Sequence, residues 1–225
     1  MDIRPYAQER GTGFPLILLH GNGESGAYFA GQMGPFSERY RVIAVDTRGH
    51  GRSPRGEGPF TLDRFAGDLK AFLDERGIKK AHILGFSDGG NIALLFALRY
   101  PAMVERLVLN GANLCPAGVE PRVQIPVTLG YYALALPGLM DRGAAKKREL
   151  LRLMVKEPHI DPKSLSQLTM PVLVVAGTHD MIRKAHTEAI AAGLPNPELC
   201  FLPGDHFVAA KHPELFNARV LAFLG

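Results

Sequence analysis

Residues 82–98 read His82-Ile-Leu-Gly-Phe-Ser-Asp-Gly-Gly-Asn-Ile-Ala-Leu-Leu-Phe-Ala-Leu98, and the predicted fold starts from them. The first residues form a short apolar run, which is typical of a parallel strand buried on both faces. The last residues are apolar almost all round and long enough for a helix, which predicts a central buried helix. Between them, Gly85-x-Ser87-x-Gly89 permits a sharp turn with the serine exposed at its tip. This strand-turn-helix context favours a nucleophilic serine over a glycine-rich turn with an incidental one.

Further apolar runs alternate with helical patterns along the chain. None of the runs alternates with polar residues, so each is predicted to be a buried strand: residues 16–19, 42–45, 83–84, 107–109, 172–175 and 199–202. Three-four spacing predicts helices over residues 62–73, with Thr61 as N-cap and Gly77 as the stop, and over residues 216–224 behind Pro213. Alternating strands and helices predict an α/β protein with a doubly wound, mostly parallel sheet.

One segment interrupts this alternation. Residues 114–169 contain no recognisable buried strand but do contain a charged helical pattern over residues 144–156. A segment of this length is too long for a connecting loop. We therefore predict one α/β core built from residues 1–113 and 170–225, with residues 114–169 inserted as a small helical cap.

Composition excludes several classes of protein. The chain has 225 residues, a net charge of +4 and 46% apolar residues, which is ordinary for a globular protein. Its longest basic run is Lys146-Lys147-Arg148, so nucleic acid is not an expected partner. Two cysteines, Cys115 and Cys200, are too few for a disulfide framework and are expected to be reduced.

The sequence also gives no sign of a membrane segment or of export. The N-terminal residues do not form a signal peptide, and the uncharged stretch over residues 123–140 is broken by prolines and glycines. We expect a cytoplasmic protein, monomeric or a small homo-oligomer, that acts on a small molecule and binds no membrane. We expect no cofactor and no metal ion.

A serine nucleophile needs a histidine base, and that histidine needs a carboxylate to orient it. Behind such a turn the partners follow in the order serine, acid, histidine. Asp180 and His206 each follow a predicted strand, at the edge where open α/β sheets place their sites. We predict Ser87 as nucleophile, Asp180 as acid and His206 as base. Asp205 and Asp88 are the rival acids, and the alternative role for Asp180 is a helix N-cap.

Two backbone N–H groups are needed to hold an oxyanion. One is predicted to be that of Asp88, directly after the nucleophile at the start of the central helix. The second is predicted to be that of Asn22, in the glycine-rich loop His20-Gly21-Asn22-Gly23 after the first long strand. His20 is expected to be structural, bonding to the loop backbone.

Taken together, these motifs resemble the α/β-hydrolase superfamily. The resemblance rests on His20-Gly21-Asn22, Asp46-Thr-Arg-Gly-His-Gly-Arg-Ser53, Gly85-Phe-Ser-Asp-Gly-Gly90, Gly177-Thr-His-Asp180 and Asp205-His206, which occur in this order. It implies an α/β-hydrolase sheet, acyl transfer through a serine ester, and a structural turn over residues 46–53. The Ser-Asp-Gly-Gly elbow is similar to that of valacyclovir-hydrolase-like esterases, whose larger cap prevents transfer of their substrate preference.

The resemblance implies hydrolysis of an ester, thioester or amide, and the small number of cap residues favours a small substrate such as a short-chain ester. Residues Tyr131, Tyr132, Leu136 and Met140 either line an apolar acyl pocket or anchor the cap on the core. One alternative function is a non-hydrolytic lyase of the menaquinone-pathway type, which uses the same triad. Such enzymes bind an anionic substrate through arginines, one usually four residues after the nucleophile, where this chain has Asn91. The other alternative is a ligand-binding protein on a hydrolase fold.

Overall fold

The computed structural model describes residues 2–225, which form a seven-stranded sheet with helices on both faces. The spatial order of the strands is β1-β3-β2-β4-β5-β6-β7; β1 runs antiparallel to β3, and all other pairs are parallel. This arrangement confirms the predicted α/β class and the mostly parallel sheet. The strands are β1 Ala7–Arg10, β2 Phe14–Leu19, β3 Tyr40–Val45, β4 Ala81–Phe86, β5 Val104–Asn110, β6 Val172–His179 and β7 Pro197–Asp205.

The helices cover the sheet in two layers. They are α1 Ala30–Ser37, α2 Leu62–Glu75, α3 Asp88–Arg99, α4 Pro121–Ala133, α5 Pro137–Met140, α6 Arg142–Lys156, α7 Lys184–Gly193, α8 Val208–Lys211 and α9 Pro213–Leu224. Along β2, Ile17 and Leu19 pack with α2 and α3, whereas Leu16 and Leu18 pack with α1 and α9. Successive side chains of a strand point to opposite faces of the sheet, and here helices cover both faces. The apolar runs are continuous for this reason.

Local signals set the ends of α2 as predicted. The side chain of Thr61 accepts a hydrogen bond from the N–H of Arg64 at 3.2 Å, which satisfies one of the free donors of the first turn. Gly77 follows the helix with φ of 66°, a left-handed conformation that glycine adopts without strain. The edge strand β1 was not predicted, because three of its four residues are exposed and it contains no apolar run.

Between β5 and β6 the chain forms α4, α5 and α6, which we call the α4–α6 segment. It contains no strand of the sheet, in agreement with the sequence pattern, and an isolated bridge between Val119 and Ile182 links its start to the residues after β6. The division of the chain into a core and a separate cap remains a prediction. Within residues 2–225, we find no helix with both the length and the apolarity to cross a bilayer.

Candidate active site

Ser87 lies at the turn between β4 and α3 in a conformation that few residues adopt. Its φ of 53° and ψ of −121° make it the one non-glycine residue with positive φ in the part of the chain that the structure describes. Such a conformation costs on the order of 1–3 kcal/mol and persists only where the surroundings hold it. The N–H of Ser87 donates to the carbonyl of Asn110 at 2.8 Å, which fixes the turn against β5.

The glycines on either side of Ser87 are required by close packing. A Cβ on Gly85 would lie 2.2 Å from the carbonyl oxygen of Gly89, and a Cβ on Gly89 would lie 2.1 Å from that of Leu19. Backbone atoms cannot give way at such distances, so both positions exclude any side chain. The Gly-x-Ser-x-Gly spacing therefore has a steric cause at this turn.

Asp180 and His206 form a buried hydrogen-bonded pair at the carboxyl ends of β6 and β7. The Nδ1–H of His206 donates to Oδ1 of Asp180 at 2.6 Å. The N–H groups of Ile182 and Gly177 also donate to this carboxylate, at 2.9 and 3.2 Å, and they hold it in place. With Nδ1 protonated, Nε2 of His206 is an acceptor, and it is buried with no partner among residues 2–225.

Ser87 and His206 line one cavity of about 190 Å³. Asn22 from the loop after β2 and Glu24 lie in the same wall. The remaining wall is formed by Gly21 and by five apolar side chains: Phe86, Val123, Met154, Met181 and Phe207. The cavity thus combines the predicted nucleophile, the histidine paired with Asp180 and an apolar surface.

The two predicted oxyanion donors flank Ser87. The N–H groups of Asn22 and Asp88 donate to none of the other described residues, and Asp88 is the first residue of α3. The positive end of a helix stabilises a negative charge there. The side chain of Asn22 is engaged elsewhere, because its Nδ2 donates to the carbonyl of Leu150 in α6 at 2.8 Å.

These observations agree with the comparison with known proteins. A family model described as alpha/beta hydrolase fold matches residues 15–155, more than half of the chain. The chain belongs to the α/β-hydrolase fold family.

The relatives and the solved structure described next carry the names of hydrolases. "Putative carbamate hydrolase RutD" of Caulobacter segnis is 30% identical, over 93% of this chain and 90% of its own length. The 2-hydroxymuconate semialdehyde hydrolase of Pseudomonas sp. (strain CF600) is 31% identical, over 90% of this chain and 66% of its own length. A solved structure of a hydrolase from Pseudomonas aeruginosa PA01 has a TM-score of 0.80 at 25% identity, covering 100% of this chain and 98% of that one. At the level these relatives share, the chain is a hydrolase of the α/β-hydrolase fold.

Two other conspicuous residues of this α/β hydrolase, Asp205 and His20, bond to neighbouring backbone and side-chain groups. Asp205, the rival acid, bonds to Lys211 and accepts the N–H of Phe207 at 3.0 Å. His20 donates from Nδ1 to the carbonyl of Gly21 at 2.7 Å and accepts the N–H of Thr47 at Nε2. Burial lowers the pKa of His20 to about 4, so its ring is neutral.

The turn over residues 46–53 of the α/β hydrolase is organised by buried polar groups. Asp46 accepts the N–H groups of Gly26 and Arg52, each at 2.7 Å. Arg48 is buried, and its Nε and Nη2 donate to Asp68 at 2.7 Å each, while Asp2 binds it from the more exposed side. The segment supports the loops around the cavity and contributes no residue to its wall.

The other rival acid, Asp88, is buried beside Ser87 and is not ionised like a surface aspartate. Burial, and to a lesser extent the charge of Glu157, raises the pKa of Asp88 to about 7. Its Oδ1 accepts a hydrogen bond of 3.3 Å from Asn91, and its Oδ2 has no partner among the described residues. Burial also raises the pKa of Glu157, which accepts the N–H of Leu62 at 2.7 Å. Near neutral pH the carboxyl group of Asp88 is therefore partly protonated.

The predicted acyl-pocket residues do not reach the cavity. From α4 only Val123, in the first turn, lines it, whereas Tyr131 and Tyr132 belong to the last turn and Leu136 and Met140 come later. Tyr131 is buried, and the other three are exposed, Met140 to 93%. The structure brings Ser87, Asp180, His206, Asn22 and Asp88 together, and it leaves these four residues outside.

Several residues at the cavity had no signal in the sequence. Met154 was recognisable only as an apolar position of a helix, and Met181 only as the neighbour of Asp180. Gly111 does not line the cavity but approaches His206 closely, because a Cβ there would lie 2.7 Å from Cε1 of His206. Its φ of 62° and this close approach are properties of the folded chain alone.

Proposed function

We propose that this hydrolase cleaves small carboxylic esters through an acyl-serine intermediate, with Ser87 as nucleophile, His206 as base and Asp180 as the residue that orients it. The observation that carries the proposal is the 2.6 Å hydrogen bond between Asp180 and His206, whose Nε2 has no partner among the described residues and whose side chain lines the same cavity as Ser87. A histidine held in this tautomer is suited to take a proton from a serine hydroxyl.

In the first half of the reaction Ser87 attacks the carbonyl carbon of the ester. Nε2 of His206 takes the hydroxyl proton, and the Asp180 carboxylate stabilises the imidazolium that forms. The oxyanion accepts hydrogen bonds from the backbone N–H groups of Asn22 and Asp88. When the tetrahedral intermediate collapses, the C–O bond to the leaving group breaks and His206 returns the proton to the departing alcohol.

In the second half a water molecule replaces the alcohol. His206 takes a proton from the water, whose oxygen attacks the carbonyl carbon of the acyl-serine. The bond to Oγ of Ser87 then breaks, the proton passes from His206 to Oγ, and the carboxylic acid leaves. Enzyme and active site return to their starting state.

The size and charge of the cavity support a small substrate that is not anionic. A volume of about 190 Å³ is below the usual range for drug-sized ligands and suits a short acyl chain. Glu24 lies in its wall, and none of the arginines of the α4–α6 segment does. Asn91, at the position where the lyase alternative needs an arginine, is fully buried and bonds to Asp88 and Asn113. A multiply anionic substrate finds no counter-charge in this cavity.

Carbamate hydrolysis is a second candidate function, favoured by the names of the RutD relatives. The same residues would attack a carbamoyl carbon, giving a carbamoyl-serine in place of an acyl-serine. The two candidates differ only in the group attached to the carbonyl, so one substrate panel tests both.

The test combines active-site labelling with that panel. A fluorophosphonate probe should label the wild type and the Ser166→Ala control, which removes an exposed serine, but not Ser87→Ala. Para-nitrophenyl acetate and butyrate should be cleaved faster than esters with about ten or more carbons, because the cavity is small. Para-nitrophenyl carbamates are tested in the same assay, and the comparison of kcat/KM for esters and carbamates ranks the two functions. If a folded Ser87→Ala variant reacts with the probe and the esters as the wild type does, the proposal is wrong.

A further inference from the structure

A second and larger cavity lies away from Ser87, between α6 and the loop that connects β3 to α2. Its volume is about 560 Å³, within the range of small-molecule sites. It shares no lining residue with the cavity of Ser87 and His206.

Two cations of α6 line this cavity without an acidic partner. Arg142 and Lys146 are four residues apart, so they lie on the same face of the helix. Neither forms an ion pair with any residue from 2 to 225. Unpaired cations on one wall of a cavity favour a negatively charged occupant.

The third cation of the cavity, Arg55, is neutralised and fixed. Its Nη2 and Nε donate to the two carboxylate oxygens of Glu149 at 2.6 and 3.0 Å, and its Nη1 donates to the carbonyls of Gly56 and Gly58. The one acidic residue of the wall is therefore occupied by Arg55. The excess positive charge of the cavity belongs to Arg142 and Lys146.

The rest of the wall is mainly apolar. Phe60 and Leu150 line it, and the guanidinium carbon of Arg55 lies 5.1 Å from the centre of the Phe60 ring. A free inorganic anion would leave this surface wet, whereas an anion with an apolar body covers it. We propose that this cavity binds a small organic carboxylate with an aromatic or branched apolar body, its carboxylate on Arg142 and Lys146.

Binding of benzoate by calorimetry at low ionic strength tests the proposal. Wild type should bind benzoate, and the double variant Arg142→Gln with Lys146→Gln should bind it at least tenfold more weakly, because two charge-assisted contacts are lost. Lys147→Gln is the matched control, since it removes a neighbouring charge that does not line the cavity, and its affinity should stay within twofold. Benzylamine, with the same ring and the opposite charge, should not bind.

The outcome does not depend on the proposed reaction, because none of these variants touches the cavity of Ser87. Cleavage of para-nitrophenyl acetate by the double variant should remain within twofold of the wild type. Equal benzoate affinity in the double variant, benzylamine binding as tightly as benzoate, or no saturable benzoate binding up to about 10 mM would each overturn the proposal.

Discussion

Replacing Gly111 by alanine should disable the site through His206 while leaving the fold in place. Gly111 follows β5 with φ of 62°, and an alanine Cβ there would lie 2.7 Å from Cε1 and 2.9 Å from Nδ1 of His206. Non-bonded carbon atoms rest about 3.5–4 Å apart, so the ring must move by roughly 0.8 Å or more. This displacement acts directly on the 2.6 Å hydrogen bond to Asp180.

Two costs follow, and they are separable. The left-handed backbone conformation costs an alanine about 1–2 kcal/mol, which corresponds to a fall in Tm of roughly 2–8 °C for a chain of this size. A displacement of about 1 Å in a catalytic group costs on the order of 100-fold in rate. We therefore expect kcat/KM and the rate of fluorophosphonate labelling to fall about 100-fold in Gly111→Ala.

Gly77→Ala is the matched control. Gly77 has nearly the same φ, 66°, but a Cβ there meets nothing within 4 Å. It should show only the backbone cost, a loss of Tm of roughly 2–8 °C by differential scanning fluorimetry, and activity within twofold of the wild type. Gly111→Ala with activity within threefold of the wild type would refute the reasoning, and so would an equal loss of activity in Gly77→Ala.

Two further predictions concern buried charges. Burial raises the pKa of Asp88 from 3.8 to about 7, so the folded state keeps a proton that the unfolded state releases, and the contribution of Asp88 to stability falls as the pH rises through this window. In urea unfolding, the stability of Asp88→Asn relative to the wild type should therefore increase between pH 5 and pH 8; an unchanged difference between the two proteins would contradict the assignment. Asp68→Ala leaves the buried Arg48 guanidinium with Asp2 as its remaining acidic partner and should cost about 3 kcal/mol, or roughly 6–12 °C in Tm. A melt that shifts by less than about 3 °C would show that Asp2 alone satisfies Arg48.

The sheet was predictable because its strands are buried on both faces. Continuous apolar runs such as residues 16–19 and 172–175 are typical of strands covered by helices on both faces of the sheet. The structure shows helices on both faces. The edge strand β1 escaped prediction for the opposite reason. It is largely exposed and pairs with β3 on one side only, so its sequence contains no apolar run.

The site was predictable where a side chain has a fixed place relative to a strand end. Ser87, Asp180 and His206 each follow a strand of the sheet, so strand order alone brought them to one edge. The acyl-pocket residues were not predictable, because an apolar helix pattern does not say which face meets the substrate. Val123 reaches the cavity and Met140 does not, although both belong to the same uncharged stretch.

The hydrogen bond from the Asn22 side chain to the Leu150 carbonyl joins the loop after β2 to α6. One residue thus carries a proposed oxyanion donor on its backbone and a tether to the α4–α6 segment on its side chain. Moving α6 outward would break the tether and release the loop. The movement that admits a substrate by this route would then also displace the oxyanion donor. An enzyme molecule with α6 in the outward position would therefore be a poorer catalyst than one with the tether intact.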